Sequence, residues 1–108
     1  MKHMKDDHPR LTRPGLLVLK AFLQNPRRRI CGAEIIQATG FPSGTVYPIL
    51  LRFERIGLLE SEWEKQAPHL LGRPRRRLYR ITSDGCELAR STLTELSSAF
   101  LTPISEKA

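Results

Sequence analysis

The stretch that decides the fold is Ile35-Ile-Gln-Ala-Thr-Gly-Phe-Pro-Ser-Gly-Thr-Val-Tyr-Pro-Ile-Leu-Leu-Arg-Phe-Glu-Arg-Ile56. Gly40 is typical of a helix C-terminus in the left-handed conformation, Phe41-Pro42 breaks the chain, and Ser43 is a good N-cap for the next helix. In that next helix, apolar side chains recur at i, i+4 and i+7: Val46, Leu50 and Phe53. Two helices joined by so short a turn predict a helix-turn-helix unit.

The flanking sequence predicts further elements on both sides. Helical spacing predicts helices over 13–24, capped by Thr12, and over 30–39. Period-two alternation predicts strands over 59–64 and 77–82, a hairpin with a long basic loop. A last helix is expected over 83–101, with Ser83 as N-cap and Pro103 as the stop.

This order predicts a mostly α fold with a small β-hairpin (α+β): a winged helix-turn-helix followed by a C-terminal helix. We expect a disordered segment over 1–10, the winged helix-turn-helix over 11–82, the C-terminal helix over 83–102 and a tail over 103–108. The 108 residues are too few for two typical domains.

Charge favours a polyanionic partner. The chain has 18 basic and 11 acidic residues and a formal net charge of +7. Residues 1–80 hold 16 basic and 7 acidic side chains, against 2 and 4 in residues 81–108, so only part of the chain faces the polyanion. Binding to an anionic membrane or to RNA is supported by the net charge alone, because no long basic amphipathic helix or aromatic platform is visible.

Other classes of protein are disfavoured. No apolar stretch reaches the roughly 20 residues of a membrane span, and the charged N-terminus lacks a signal core, so we expect a cytoplasmic protein. Cys31 and Cys86 are far apart and are expected to pack as small apolar side chains. Scattered histidines and the lack of a catalytic set predict no metal, no cofactor and no enzymatic activity.

Three linked motifs carry a family resemblance: Phe41-Pro-Ser-Gly-Thr-Val-Tyr-Pro-Ile-Leu50, Glu54-Arg-Ile-Gly-Leu-Leu-Glu60 and Arg73-Pro-Arg-Arg-Arg-Leu-Tyr-Arg-Ile-Thr-Ser-Asp-Gly85. Together they resemble the PadR family of bacterial transcriptional regulators. The resemblance implies a homodimer bound to a palindromic operator in double-stranded DNA, with helix 43–56 in the major groove and the basic wing 66–77 near the neighbouring minor groove. It also implies a nucleoid-associated repressor that releases DNA on binding a small hydrophobic or phenolic effector.

Two features depart from the family pattern. The single C-terminal helix is typical of a short class, and Leu70-Leu71 in the wing are more apolar than phosphate contacts require. A winged-helix module that binds an acidic protein and no operator is the alternative function.

The candidate DNA-contacting residues on helix 43–56 lie on its polar face or at its start: Ser43, Gly44, Thr45, Tyr47, Pro48 and Arg52. The small residues allow the helix N-terminus to approach a phosphate or base edge, although they could merely shape the helix start. Tyr47 either reaches a phosphate or is a core tyrosine. Pro48 distorts the first turns, and we interpret it as fitting the groove.

The remaining candidate DNA contacts are arginines outside that helix: Arg28, Arg73, Arg75, Arg76 and Arg77. So many like charges in the wing repel one another unless a polyanion binds. Strand alternation prevents all four wing arginines from facing DNA together, and the two that flank Pro74 are best placed to enter a minor groove. Arg28 could contact a phosphate, or its positive charge could only stabilise the C-terminus of the preceding helix.

The last helix carries an apolar seam that could pair with a second copy: Ala89, Leu93, Leu96 and Phe100. Docking on its own domain is the other interpretation, and a dimer explains an extra apolar stripe better. Trp63 either lines such an interface and an effector pocket or covers its own core.

Overall fold

The computed structural model describes residues 10–107, with side chains described for 10–98. The predicted disordered segment lies outside this part of the chain except for Arg10. In chain order the elements are α1 Arg13–Leu23, β1 Ile30–Cys31, α2 Gly32–Thr39, α3 Ser43–Arg55, β2 Leu59–Trp63, α4 Pro68–Leu71, β3 Arg77–Ile81 and α5 Ser83–Lys107. The predicted fold class, a winged helix-turn-helix with a following helix, is confirmed.

The core is formed where α1, α2 and α3 meet the sheet. Phe22, Ile35, Leu50 and Phe53 are almost completely buried and pack together with Leu59 of β2. Burying one such side chain contributes about 1.5–3 kcal/mol, so the apolar stripes predicted from helical spacing are what orient the helices. The opposite face of α3 is thereby turned to solvent.

The sheet is antiparallel and has three strands in the order β1-β3-β2. The prediction that Ile30 and Cys31 begin a helix is wrong: they form β1 and pair with Tyr79 and Leu78. Their side chains are buried against the sheet, and the Cys31 N–H donates to Glu34 Oε1 at 3.1 Å, which moves the start of α2 to Gly32. Tertiary pairing here overrides local helical spacing.

Helix ends agree with the sequence in part. Thr12 caps α1, because its Oγ1 accepts from the Gly15 N–H at 3.2 Å, and Gly40 ends α2 at φ 78°. Ser43 is not an N-cap, since Pro42 takes that position and Ser43 is already helical.

Ser83 is also not an N-cap. Thr82, one residue earlier, caps α5 by accepting from the Gly85 N–H at 3.1 Å. The helix continues past Pro103 to Lys107 instead of stopping there. A proline removes one N–H from the hydrogen-bond ladder, and the helix continues past this loss.

The wing contains a short helix that was predicted as loop. Pro68 occupies the first turn of α4, and Gly72 closes it at φ 72°. Proline at the start and glycine just past the end are the ordinary signals for a helix, here only one turn long. In the part of the chain that is described, no helix combines the length and apolar character needed to cross a membrane.

Candidate nucleic-acid interface

The outward face of α3 is the one predicted to contact DNA. With Val46, Leu50 and Phe53 buried, the residues on the other side are exposed or half-buried. The exposed set comprises Ser43, Gly44, Tyr47, Pro48, Leu51, Arg52 and Arg55. Thr45 is half-buried, so its side chain is less available than predicted.

The N-terminus of α3 has no side-chain cap. Thr45 and Val46 donate their N–H groups to the Pro42 carbonyl at 2.9 and 3.1 Å. Within the described residues no acceptor is found for the N–H groups of Ser43 and Gly44. A Cβ at Gly44 would have nothing within 4 Å, so an anion can approach this end of the helix closely.

Tyr47 packs against the start of α2. A Cβ added at Gly32 would lie only 2.4 Å from Tyr47 Cε1 and 2.5 Å from its Oη, so the ring occupies the space that Gly32 leaves open. The side chain is nevertheless 46% exposed. Tyr47 is therefore neither a core tyrosine nor fully free, and its position depends on α2.

The C-terminal half of α3 presents two arginines to solvent. Arg52 and Arg55 are exposed, and neither has an acidic partner among the described residues. The Arg52 Cζ atom lies 5.9 Å from the Phe53 ring centroid. Both arginines are therefore available to a polyanion, and the DNA contact predicted for Arg52 stays a prediction.

Arg73 is held by an acidic residue at the base of the wing. Its Nη1 and Nη2 atoms donate to Glu64 Oε1 and Oε2 at 2.6 and 3.0 Å, and the Arg76 N–H also donates to Oε1 at 2.9 Å. The Arg73 guanidinium and the Arg76 N–H lower the pKa of Glu64 to about 2. Much of the charge of Arg73 is thus neutralised within the wing, so the predicted entry into a minor groove would have to compete with Glu64.

Arg77 connects the wing to α3. Its Nε donates to Ser61 Oγ at 2.9 Å, and its Nη2 lies 3.4 Å from Glu54 Oε2, which also accepts from Ser61 Oγ at 2.6 Å. The guanidinium lies 5.1 Å from the Trp63 ring centroid. Arg77 therefore fixes the wing beside α3, and the predicted DNA contact by this side chain would have to compete with Glu54.

Two arginines in the wing have no acidic partner among the described residues. Arg75 donates from Nε to the Gln66 carbonyl at 2.9 Å, so its two Nη groups remain available. Arg76 is exposed, and its side chain has no partner among the described residues. The charge that the wing offers to a polyanion comes mainly from these two side chains.

Arg28 is compensated by Glu34. The Arg28 Nη2 atom lies 2.5 Å from Glu34 Oε2, and the pKa of Glu34 is lowered because this bond and the Cys31 N–H outweigh the opposing effect of partial burial. Its neighbour Arg29 pairs with Glu62 at 3.0 Å. A phosphate clamp at Arg28 would have to compete with Glu34.

An open cleft of about 1020 Å³ lies on the wing. Trp63, Pro68 and Pro74 give it apolar walls, while Lys65 and Arg75 give it positive charge. Trp63 is 56% exposed, so the interpretation that it covers its own core is wrong. The sequence could have indicated this cleft, because Trp63 and several basic residues lie close to the wing prolines in the chain.

One residue of the predicted dimer seam on α5 is buried within its own chain. Ala89 is fully buried in the core of its own chain, because α5 packs against α1 there, and so it does not belong to an exposed seam. Leu93 is half-buried and Leu96 is 46% exposed. The side chain of Phe100 lies outside the described residues.

Two residues important to the interface were not predicted. Glu54 and Glu64 hold the wing arginines, although the sequence showed only acidic side chains on a helix and a strand.

Among the described residues no group of three or more His, Cys, Asp or Glu side chains could hold a metal ion. The free thiol of Cys31 is buried and that of Cys86 is half-buried.

Comparison with known proteins gives a family match. The model of the "Transcriptional regulator PadR-like family" matches residues 28–91. No curated protein matches the chain.

Solved structures have similar folds. A PadR-like transcription factor from bacteroid fragilis is 24% identical at a TM-score of 0.68, covering 89% of this chain and 93% of that one. A PadR family regulator from Eggerthella lenta is 24% identical at 0.66, covering 87% and 82%. The PcaV regulator from Streptomyces coelicolor, solved with its natural ligand, is 24% identical at 0.65, covering 85% and 62%. At these identities the likeness shows the fold.

Proposed function

Because this chain belongs to the PadR-like family of transcriptional regulators, which are not enzymes, we propose that it acts as a homodimeric repressor on a palindromic operator. The observation that carries the proposal is the pairing of α3 with the wing. Arg77 and Ser61 of the sheet bond Glu54 of α3, so the exposed face of the helix and the charged wing are held as one surface. Such a surface suits a major groove and the minor groove beside it.

Each part of this surface has a separate role in the proposal. The uncapped N-terminus of α3 and Tyr47 contact phosphates, while Arg52 and Arg55 reach base edges or phosphates. Arg75 and Arg76 contact the backbone near the minor groove, where positive side chains are attracted. The protein would act in the cytoplasm, bound to the nucleoid.

Selection of bound fragments from a random duplex library tests the proposal at about physiological salt, where non-specific contacts are damped. We expect an inverted repeat with half-sites about one helical turn apart. A reporter placed behind this sequence should be repressed by the protein and much less by its Arg52→Ala variant. Activation of the reporter would contradict the proposal that the protein is a repressor. Recovery of an asymmetric site would contradict the proposal that it binds as a dimer.

The alternative function is a winged-helix module that binds an acidic protein. Its support is the same positive wing, which does not by itself distinguish DNA from an acidic polypeptide. Recovery of no enriched duplex would favour this alternative. The next measurement would then be binding of an acidic partner to the wild type and to the Arg75→Ala variant.

A small effector is a second part of the proposal, and the wing cleft is the observation that favours it. Aromatic and proline walls beside Lys65 and Arg75 suit a small apolar ligand with a negative group, as in phenolic acids. Trp63 is the chain's single tryptophan, so its fluorescence reports directly on the cleft. Quenching by a phenolic acid that is lost in Lys65→Ala would support this site, and unchanged quenching in that variant would contradict it.

A further inference from the structure

Leu51 is an exposed leucine at the centre of the face of α3 assigned to the major groove. It is 61% exposed, although burying a leucine is worth about 1.5–3 kcal/mol. Pro48 lies three residues before it and Tyr47 four residues before it, and both are exposed. Because i, i+3 and i+4 positions are neighbours on a helix, an apolar strip runs along this face.

The position of Leu51 places it over base edges. It follows Gly44 by seven residues, which is about two turns and ~10 Å along the same face. If the uncapped N-terminus meets the phosphate backbone, Leu51 faces the floor of a groove about 12 Å wide. Arg52 and Arg55 lie one and four residues after it, both exposed and on the same side of it.

Leucine cannot donate or accept a hydrogen bond, so it does not read the polar edges of guanine, adenine or cytosine. Covering such an edge leaves a donor or acceptor unpaired and costs free energy. The C5-methyl group of thymine is the apolar group that unmodified bases present in the major groove. An exposed leucine beside a proline is therefore selective for thymine.

Building on the proposed function, we infer that Leu51, with Pro48 beside it, contacts the 5-methyl group of one thymine in each operator half-site. Leu51 is thus a specificity-determining residue that discriminates by apolar contact. The neighbouring arginines supply affinity and polar readout.

The experiment removes the methyl group from the DNA. Each thymine of the selected operator is replaced in turn by deoxyuridine, which pairs identically and lacks only that group. One position per half-site should lower affinity by about fourfold, the value for one buried methyl of ~0.8 kcal/mol, and both together by about fifteenfold. The other thymines should have little effect.

Protein variants then assign the effect to Leu51. Leu51→Ala should bind thymine and uracil operators equally, while Leu51→Met, which keeps the apolar contact, should retain sensitivity. Leu70→Ala, which shortens an equally exposed leucine in the wing, should keep the full methyl effect. Since Leu51 is exposed, the variants should fold, as circular dichroism will show.

The inference is overturned if no deoxyuridine position affects the wild type, if the operator lacks thymine, or if Leu51→Ala is as sensitive as the wild type. In each of these cases a selected operator still supports the proposed function. Recovery of no operator would instead remove the proposed function and the inference with it.

Discussion

The guanidinium group of Arg73 donates two hydrogen bonds to the Glu64 carboxylate, at 2.6 and 3.0 Å, across the base of the wing. A bidentate pair of this kind is the strongest geometry for arginine and carboxylate. It joins the end of β2 to the segment after α4 and fixes the shape of the wing. The result is a rigid base from which the following arginines project.

The first prediction concerns pH. The pKa of Glu64 is lowered to about 2 by Arg73 and the Arg76 N–H, so its folded value lies below its unfolded value. Its contribution to stability is therefore fully present above about pH 4.5 and is lost as pH falls to about 2. Carbon-13 NMR of the side-chain carboxyls should show Glu64 still ionised at pH 3.5.

Arg73→Ala is the control for this titration. It removes the largest cause of the shift, so the Glu64 midpoint should rise toward the ordinary value. A midpoint near 4.5 in the wild type would show that the pair does not form in solution.

The second prediction concerns the dependence of DNA binding on salt. Arg75→Ala and Arg76→Ala should each lower affinity for all duplexes and reduce the slope of log K against log salt by about 1.8, because the homodimer loses two phosphate contacts of about 0.9 each. Fluorescence anisotropy over a salt series measures this slope.

Arg90→Ala is the matched control, since it removes an exposed arginine from α5 and should leave the slope unchanged. Equal slopes for Arg75→Ala, Arg76→Ala and the wild type would show that the wing does not contact phosphates.

The sequence predicted those features that depend on local spacing and caps. The buried stripe of α3, the cap at Thr12 and the left-handed Gly40 are all set by a few neighbouring residues. β1 could not be predicted this way, because Ile30 and Cys31 are extended only through pairing with β3, almost fifty residues later.

The wing arginines show the same distinction for the interface. Their number predicted a positive surface, and Arg75 and Arg76 fit that prediction. Arg73 and Arg77 do not, because their acidic partners are Glu64, the residue after β2, and Glu54 of α3, which lie 9 and 23 residues away. Charge density in a sequence does not show which charges are already paired.

The third prediction separates stability from DNA binding at Gly44. Open space surrounds its Cα, and alanine is the better helix former, so Gly44→Ala should stabilise the fold by up to about 1 kcal/mol. The added methyl projects where a phosphate or base edge is proposed to approach, so operator affinity should fall. Thermal unfolding and anisotropy give the two quantities.

Gly32→Ala is the contrasting variant, because its Cβ would collide with the Tyr47 ring. We expect it to lower both stability and affinity. A Gly44→Ala variant with unchanged affinity would show that DNA does not approach the start of α3.

The last prediction concerns the dimer. Leu96 is 46% exposed on α5, beyond the part of that helix that packs on the core, so a second copy is the proposed partner for it. Leu96→Glu should shift the protein toward monomer in sedimentation velocity, because a carboxylate in an apolar interface loses hydration without a partner. Glu95→Gln, an exposed change one residue away, should leave the dimer intact.

Binding to a full palindrome should weaken in Leu96→Glu much more than binding to a single half-site, since the monomer loses the benefit of two linked sites. If Leu96→Glu remains a dimer, the interface lies elsewhere, and if it is monomeric with full operator affinity, dimerisation does not contribute to recognition.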